Sequence, residues 1–120
     1  MQAAIINITN LRLRTYIGFN PEEKSKKQDV VINVEVHYPA ELACQYDQVD
    51  QALNYKVITK AIIDLVEHGH FLLLEKLVAD ILALAHQHES VTFAKVTVDK
   101  PHALRFADSV SLTLGWQKNE

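Results

Sequence analysis

The chain has 120 residues, of which 48% are hydrophobic, and its formal net charge at pH 7 is −3. This length and composition are typical of one globular domain, so we expect residues 1–120 to form a single domain that buries roughly two thirds of its unfolded surface. The basic residues form no run longer than the cluster of Lys24, Lys26 and Lys27. Because a nucleic-acid site needs a basic patch or stripe, the sequence argues against DNA or RNA as a partner.

The first residues do not predict a targeting or membrane segment. Met1 to Ile6 carries no charged segment ahead of an apolar core, and no apolar run approaches the ~20 residues needed to cross a bilayer. We therefore expect a cytoplasmic protein that does not bind membranes. Cys44 is the only cysteine, which excludes an internal disulfide and a multi-thiolate metal site within one chain.

Two strands are predicted to open the fold. Residues from Ala3 to Phe19 are rich in β-branched, aromatic and alternating Leu/Arg residues, interrupted around Asn10, and this predicts one long strand with a possible bulge. From Val30 to Tyr38 apolar residues alternate strictly, which is typical of a half-buried strand. The charged segment 20–27 is predicted to be a loop, so the two strands form a hairpin.

Two helices are predicted in the middle of the chain. After a mixed, acidic segment over 39–53, which we predict to be an irregular connection, Asn54 can cap a helix that runs from Tyr55 to about His68. Gly69 is expected to end that helix. A second helix is predicted from about Phe71 to His86, and the short connection makes the two helices antiparallel neighbours.

Alternating segments at residues 94–99 and 109–116 predict two final strands. The order strand, strand, helix, helix, strand, strand suits a two-layer α+β domain, with two helices on one face of an antiparallel four-stranded sheet. Such a sheet has two open edges, and pairing copies in a closed ring would cover both. We therefore expect a homo-oligomer.

Two charged residues stand out as candidates for chemistry. Lys100 ends a predicted strand directly before Pro101, and loops at sheet edges often carry reactive groups; the alternative is a solvated strand terminus. Glu75 lies early in the second helix, where the helix dipole already favours an acid. Its carboxylate could also accept two parallel N–H bonds from the edge of a pterin or guanine ring.

The remaining candidates have weaker signals. By composition Glu22 and Glu23 belong to a solvated turn, and nothing local distinguishes them. Tyr55 would ordinarily anchor its helix through its ring, although a phenol beside a cation can act as a general acid or base. The pair His86 and His88 has the wrong spacing for one helix face, so no metal site is predicted.

Cationic side chains could clamp an anionic group. Arg12 and Arg14 share one face of the first strand by period-2 geometry, and His102 and Arg105 could join them. The alternative is that these side chains are ordinary solvated residues that bind no ligand.

Four segments together resemble the dihydroneopterin aldolase family: 11–18, reading LRLRTYIG; 52–55, reading ALNY; 71–76, reading FLLLEK; and 99–110, reading DKPHALRFADSV. The resemblance covers nearly the whole chain. It implies the tunnelling fold (T-fold), in which ββααββ subunits join their sheets into a barrel. It also implies an octamer of two stacked tetrameric rings, with active sites between adjacent subunits.

Carried over position by position, the family's functional residues fall on Glu23, Tyr55, Glu75 and Lys100. The resemblance implies that Leu74 and Glu75 bind the pterin, with Glu75 on its 2-amino-pyrimidinone edge. Lys100 would be the principal acid/base group near the ring nitrogen. Tyr55, contributed by the neighbouring subunit, would shuttle a proton at the substrate side chain, and Glu23 would help to set the charge there.

The implied chemistry is a retro-aldol cleavage in which the pterin's own imine is the electron sink, so no cofactor is required. Recombination on the opposite face of the aldehyde gives epimerisation at C2′, whereas escape of the aldehyde gives aldolase activity. The segment 100–105 and the arginine pair resemble the branch that converts 7,8-dihydroneopterin triphosphate to 7,8-dihydromonapterin triphosphate. Cations available for a triphosphate are Arg12, Arg14, Lys56, His102 and Arg105.

Two alternatives remain open from the sequence. One is aldolase activity on dihydroneopterin, giving 6-hydroxymethyl-7,8-dihydropterin and glycolaldehyde for folate biosynthesis. The other is a ring-forming domain that binds a purine or pterin through Glu75 without turnover.

Overall fold

The computed structural model describes residues 3–119. Its strands are β1 (Ala4–Ile17), β2 (Gln28–Tyr38), β3 (His70–Phe71), β4 (Phe93–Lys100) and β5 (Val110–Gln117). Its helices are α1 (Pro21–Ser25), α2 (Glu41–Tyr46), α3 (Tyr55–Glu67) and α4 (Leu74–Ala85), with a 3₁₀ turn at Val49–Gln51. Within the described range, no helix combines the length and the apolar character needed to span a membrane.

The strands form one sheet in the order β3-β1-β2-β4-β5. The four long strands pair antiparallel, as predicted, and β3 adds two residues parallel to the end of β1. The interruption predicted in the first strand is a register shift between Ile8 and Leu11. Asn10 adopts a φ of 55° there, and its backbone N–H donates to Oδ1 of Asn33 at 2.9 Å.

One face of the sheet forms the core with the two long helices. Period-2 alternation turns the apolar side chains of the strands towards α3 and α4, as the sequence predicts. Fully buried members of this core include Ile17, Ile32, Ile62, Leu77 and Ile81. By the same alternation, Lys100 shares the helix-covered face with Val96 and Val98, while Arg12 and Arg14 lie on the opposite, polar face.

The prediction of a loop over residues 20–27 is wrong, because α1 forms there. Asn20 and Glu23 make a reciprocal capping box, in which each side chain accepts a hydrogen bond from the other residue's backbone N–H, and Pro21 occupies the first turn. This arrangement satisfies free N–H groups at the helix start, so even a helix of 5 residues is held.

Two further boundaries differ from prediction. The connection over 39–53 is not irregular throughout, because it contains α2 and the 3₁₀ turn. The second long helix begins at Leu74 rather than Phe71, because His70 and Phe71 pair with Tyr16 and Ile17 instead. Gly69 does end α3, but not through a left-handed conformation; a Cβ there would overlap the ring of Phe71.

Candidate active site

The most distinctive polar contact joins Lys100, the last residue of β4, to Glu23 on α1. Nζ of Lys100 donates to Oε2 of Glu23 at 2.9 Å. The two side chains are only 13% and 22% exposed. A contact between a carboxylate and an amine that lies in a cleft and is largely shielded from water is a candidate functional site.

Local structure explains why Glu23, and not Glu22, faces the lysine. Glu23 is the third residue of α1 and closes the capping box, where its backbone N–H donates to Oδ1 of Asn20 at 2.9 Å. Gly18 has a φ of +126°, and a Cβ on it would overlap the carboxyl group of Glu23. The glycine therefore both makes the turn after β1 and leaves room for the carboxylate.

The hydrogen bond from Lys100 lowers the pKa of Glu23 below its ordinary value of 4.5, with burial opposing the shift. A carboxyl whose folded pKa is depressed contributes stability that is fully present above the unfolded pKa. That contribution is lost as the pH falls through the lower, folded pKa.

The lowered pKa of Glu23 predicts a pH-dependent stability. We expect the melting temperature of the wild type to exceed that of Glu23→Gln at pH 7, because only the wild type gains from the charged contact. The difference should shrink as the pH falls below 4.5 and through the folded pKa of Glu23. Thermal unfolding from pH 7 to pH 2 checks this, with Glu22→Gln as the neighbouring control. A difference that does not change with pH would contradict the assignment.

A cleft of about 410 Å³ opens beside this pair. Its walls include the loop after β1 and the start of α4, so Leu74 and Glu75 line it together with Glu23 and Lys100. Glu75 is exposed in the first turn of α4. Apolar side chains at the rim are unusually open to solvent: Phe19 at 70%, Leu72 at 58% and Leu73 at 50%. The cleft can therefore accept a flat ring between apolar surfaces and carboxylates.

Tyr55 does not reach this cleft within the chain. The end of α3 adjoins the site, since Nζ of Lys27 donates to the carbonyl of Glu67 at 3.1 Å. Tyr55 begins the same helix, and a helix of 13 residues is about 20 Å long. Tyr55 is 52% exposed, so it is available to another molecule. Lys56, the next residue, lies at the same distant end.

Three of the cationic candidates lie on the other side of the sheet. Arg12, Arg14 and His102 line a second cleft of about 430 Å³ together with Asp29. Nε of Arg14 lies 3.4 Å from Oδ1 of Asp29. Arg105 is not among the residues that line this cleft; its guanidinium lies 5.4 Å from the centre of the Phe106 ring.

Sequence reasoning missed the roles of Gly18, Asn20 and Asp29. The signal for the first two was present, since glycine followed two residues later by Asn-Pro-Glu-Glu matches a turn and a capping box. Asp29 had no local signal. Within residues 3–119, no group of three or more His, Cys, Asp or Glu side chains could hold a metal ion.

The sequence of the chain is similar to those of known proteins. The profile of the family described as dihydroneopterin aldolase matches residues 6–115. Over 116 residues, 97% of each chain, the sequence is 56% identical to the dihydroneopterin triphosphate 2′-epimerase of Escherichia coli K12. It is 52% identical to the Pseudomonas aeruginosa protein of the same name, over 92% of this chain and 90% of that one.

A crystal structure also matches. The dihydroneopterin aldolase of Burkholderia thailandensis, bound to guanine, superposes with a TM-score of 0.84 at 25% identity, covering 98% of this chain and 93% of that chain. The antiparallel sheet with two long helices on one face, together with these matches, defines a protein of the tunnelling fold. The chain belongs to the dihydroneopterin aldolase family.

Proposed function

We propose that the protein epimerises C2′ of 7,8-dihydroneopterin triphosphate to give 7,8-dihydromonapterin triphosphate. The observation that carries the proposal is the half-buried contact between Lys100 and Glu23 in a cleft that also contains Glu75. Two relatives named dihydroneopterin triphosphate 2′-epimerase are 56% and 52% identical to this chain, over 97% and 92% of its length. The names of those relatives support the choice of substrate. The cleft would supply the acid/base groups and the carboxylate that binds the pterin.

In the proposed complex the pterin lies in the cleft beside Leu74. The carboxylate of Glu75 accepts two N–H bonds from the 2-amino-pyrimidinone edge, because an exposed carboxylate matches that pair of donors. The apolar rim residues pack against the faces of the ring. This orientation turns the C6 side chain towards Lys100 and Glu23.

The reaction begins with loss of the proton from the C2′ hydroxyl. The C1′–C2′ bond then breaks, its electrons pass into the C6–N5 imine, and N5 takes up a proton. C2′ becomes the carbonyl of an aldehyde and C1′ becomes part of an enol. Lys100 exchanges the proton at the ring nitrogen, and Glu23 holds the lysine in place. The aldehyde turns over before the enol attacks again, and this inverts C2′.

Tyr55 enters the proposal from a neighbouring subunit. It is exposed and lies about 20 Å along α3 from its own cleft, so a complete site would need two copies of the chain. We propose that the sheets join into rings and that two tetrameric rings stack as an octamer. The phenol would then exchange the proton at the C2′ hydroxyl. A cytoplasmic location remains a prediction.

The second candidate is aldolase activity on dihydroneopterin, in which the aldehyde leaves and the enol is protonated at C1′. It uses the same cleft and the same bond cleavage, and the structural relative with bound guanine is named an aldolase. Binding without turnover is less favoured, because Glu75 alone would suffice for it. A binding site has no need of a half-buried lysine and carboxylate in contact.

Product analysis tests the proposal. Purified protein is incubated separately with dihydroneopterin triphosphate and with dihydroneopterin, and the dephosphorylated pterins are resolved by chiral chromatography. We expect monapterin as the dominant product from the triphosphate. Mainly 6-hydroxymethylpterin would instead establish the aldolase candidate, and no product from either substrate would leave binding alone.

The cleft lined by Arg12 and Arg14, which we call the arginine cleft, predicts selectivity for the phosphorylated substrate. Replacing Arg12 and Arg14 together with alanine should raise KM for dihydroneopterin triphosphate about tenfold or more, because each loses a charge-assisted contact. The kinetics with unphosphorylated dihydroneopterin should be almost unchanged. Steady-state rates on both substrates check this, with Lys60→Ala on α3 as the control. Equal losses on the two substrates would count against a phosphate-binding role.

A further inference from the structure

Three clefts adjoin one another around the end of β4. A central cleft of about 360 Å³ shares Asn20, Glu23 and Ala103 with the cleft beside Lys100. The same central cleft shares His102 with the arginine cleft on the polar face. The three clefts therefore lie in a row around the strand end, from the Lys100 cleft to Arg14.

The central cleft brings further cations to this path. Lys26 and Lys27 line it, and Nη2 of Arg14 donates to the carbonyl of Lys27 at 3.1 Å, which links the central cleft to the arginine cleft. Lys26 is exposed, so its ammonium group can turn towards a ligand. We call Lys26, Lys27, His102, Arg12 and Arg14 the cationic track.

The acids along the path differ in their surroundings. Glu23 already accepts the hydrogen bond from Lys100, and Glu22 is exposed at the central cleft. Asp29 stands among the track's own cations: Oδ1 lies 3.4 Å from Nε of Arg14, and Oδ2 lies 4.0 Å from Nε2 of His102. Its carboxylate occupies a position where a phosphate oxygen would make the same contacts.

Building on the proposed function, we propose that the triphosphate of the substrate follows the cationic track from the Lys100 cleft to Arg14. Asp29 is the internal counter-ion, and its carboxylate competes with the phosphates for Arg14 and His102. Lys26 then contributes affinity for the polyphosphate. Asp29 reduces that affinity while holding Arg14 in position, so the two residues set the preference for phosphorylated pterins in opposite directions.

Inorganic tripolyphosphate tests this inference without any pterin. Its Kd for the purified full-length protein is measured by isothermal titration calorimetry at low salt. Lys26→Gln should weaken binding about two- to fivefold, and Asp29→Asn should tighten it by a similar factor, which are the sizes expected for charges at a solvated surface. The matched controls, Lys60→Gln and Asp64→Asn, remove the same charges from the exposed surface of α3 and should leave Kd unchanged.

Steady-state kinetics complete the test. Lys26→Gln should raise KM for dihydroneopterin triphosphate and leave kcat unchanged. Opposite shifts for the two variants would support the track. Failure of tripolyphosphate to bind the wild type, or shifts no larger than those of the controls, would overturn it. Epimerase activity without tripolyphosphate binding would refute the track alone, whereas binding without turnover would refute the proposed function alone.

Discussion

Replacement of Lys100 with alanine is expected to lower kcat with dihydroneopterin triphosphate by about 10²- to 10⁴-fold, the usual contribution of a positioned acid/base group. The lysine is the half-buried cation of the cleft, and its loss removes both the proposed proton-transfer group and the partner of Glu23. The fold should persist, because Lys100 is the last residue of β4 and its side chain is not part of the apolar core.

Lys95→Ala is the matched control for this variant. Lys95 lies on the same strand but is exposed on the polar face, with its Nζ 3.8 Å from Oε1 of Glu35. We expect it to turn over at the wild-type rate. Steady-state kinetics of the two variants, with circular dichroism to confirm folding, make the comparison. A folded Lys100→Ala protein with full activity would remove both the epimerase and the aldolase assignments.

Gly18→Ala is expected to damage stability and activity together. The glycine has a φ of +126°, where an L side chain is strained by about 1–3 kcal/mol. Its new Cβ would also overlap the carboxyl group of Glu23, which must then move away from Lys100. We therefore expect a lower free energy of unfolding and a lower kcat, measured by denaturant unfolding and steady-state kinetics.

Gly115→Ala provides the control for the glycine substitution. Gly115 lies on β5, and a Cβ there would be 3.8 Å from the carbonyl oxygen of Ala94, an ordinary contact. The unfolding free energy should stay the same or rise slightly, because alanine restricts the unfolded chain. If Gly18→Ala proved as stable and as active as Gly115→Ala, the role assigned to the turn after β1 would be wrong.

The long strands were predictable because apolar and polar residues alternate along them, and this alternation indicates one buried face. From Val30 to Tyr38 every second residue is apolar, and only a half-buried strand satisfies that pattern. The short elements were harder, because α1 and α2 bury no residue completely and leave no periodic signal. The start of α1 could nonetheless have been predicted from Asn20 to Glu23, because the capping box is a local sequence motif.

The candidate site residues could be predicted one by one from the sequence, but their arrangement in space could not. Lys100 and Glu23 are 77 positions apart, so no local pattern records their contact. That Lys100 and Arg12 lie on opposite faces follows from the alternation in β4 and β1, and it was available from the sequence once the buried faces were identified. The three adjoining clefts depend on how the loop after Lys100 folds, which its composition does not determine.

Isotope labelling at C2′ tests the central claim, that inversion proceeds by breaking and reforming the C1′–C2′ bond at the Lys100 cleft. The protein is incubated with dihydroneopterin triphosphate in D₂O, and the monapterin formed is analysed for deuterium by NMR. Because the hydrogen on C2′ stays with the aldehyde carbon throughout a retro-aldol step, we expect inverted product with no deuterium at C2′. Deuterium at C2′, or no inverted product, would contradict this mechanism.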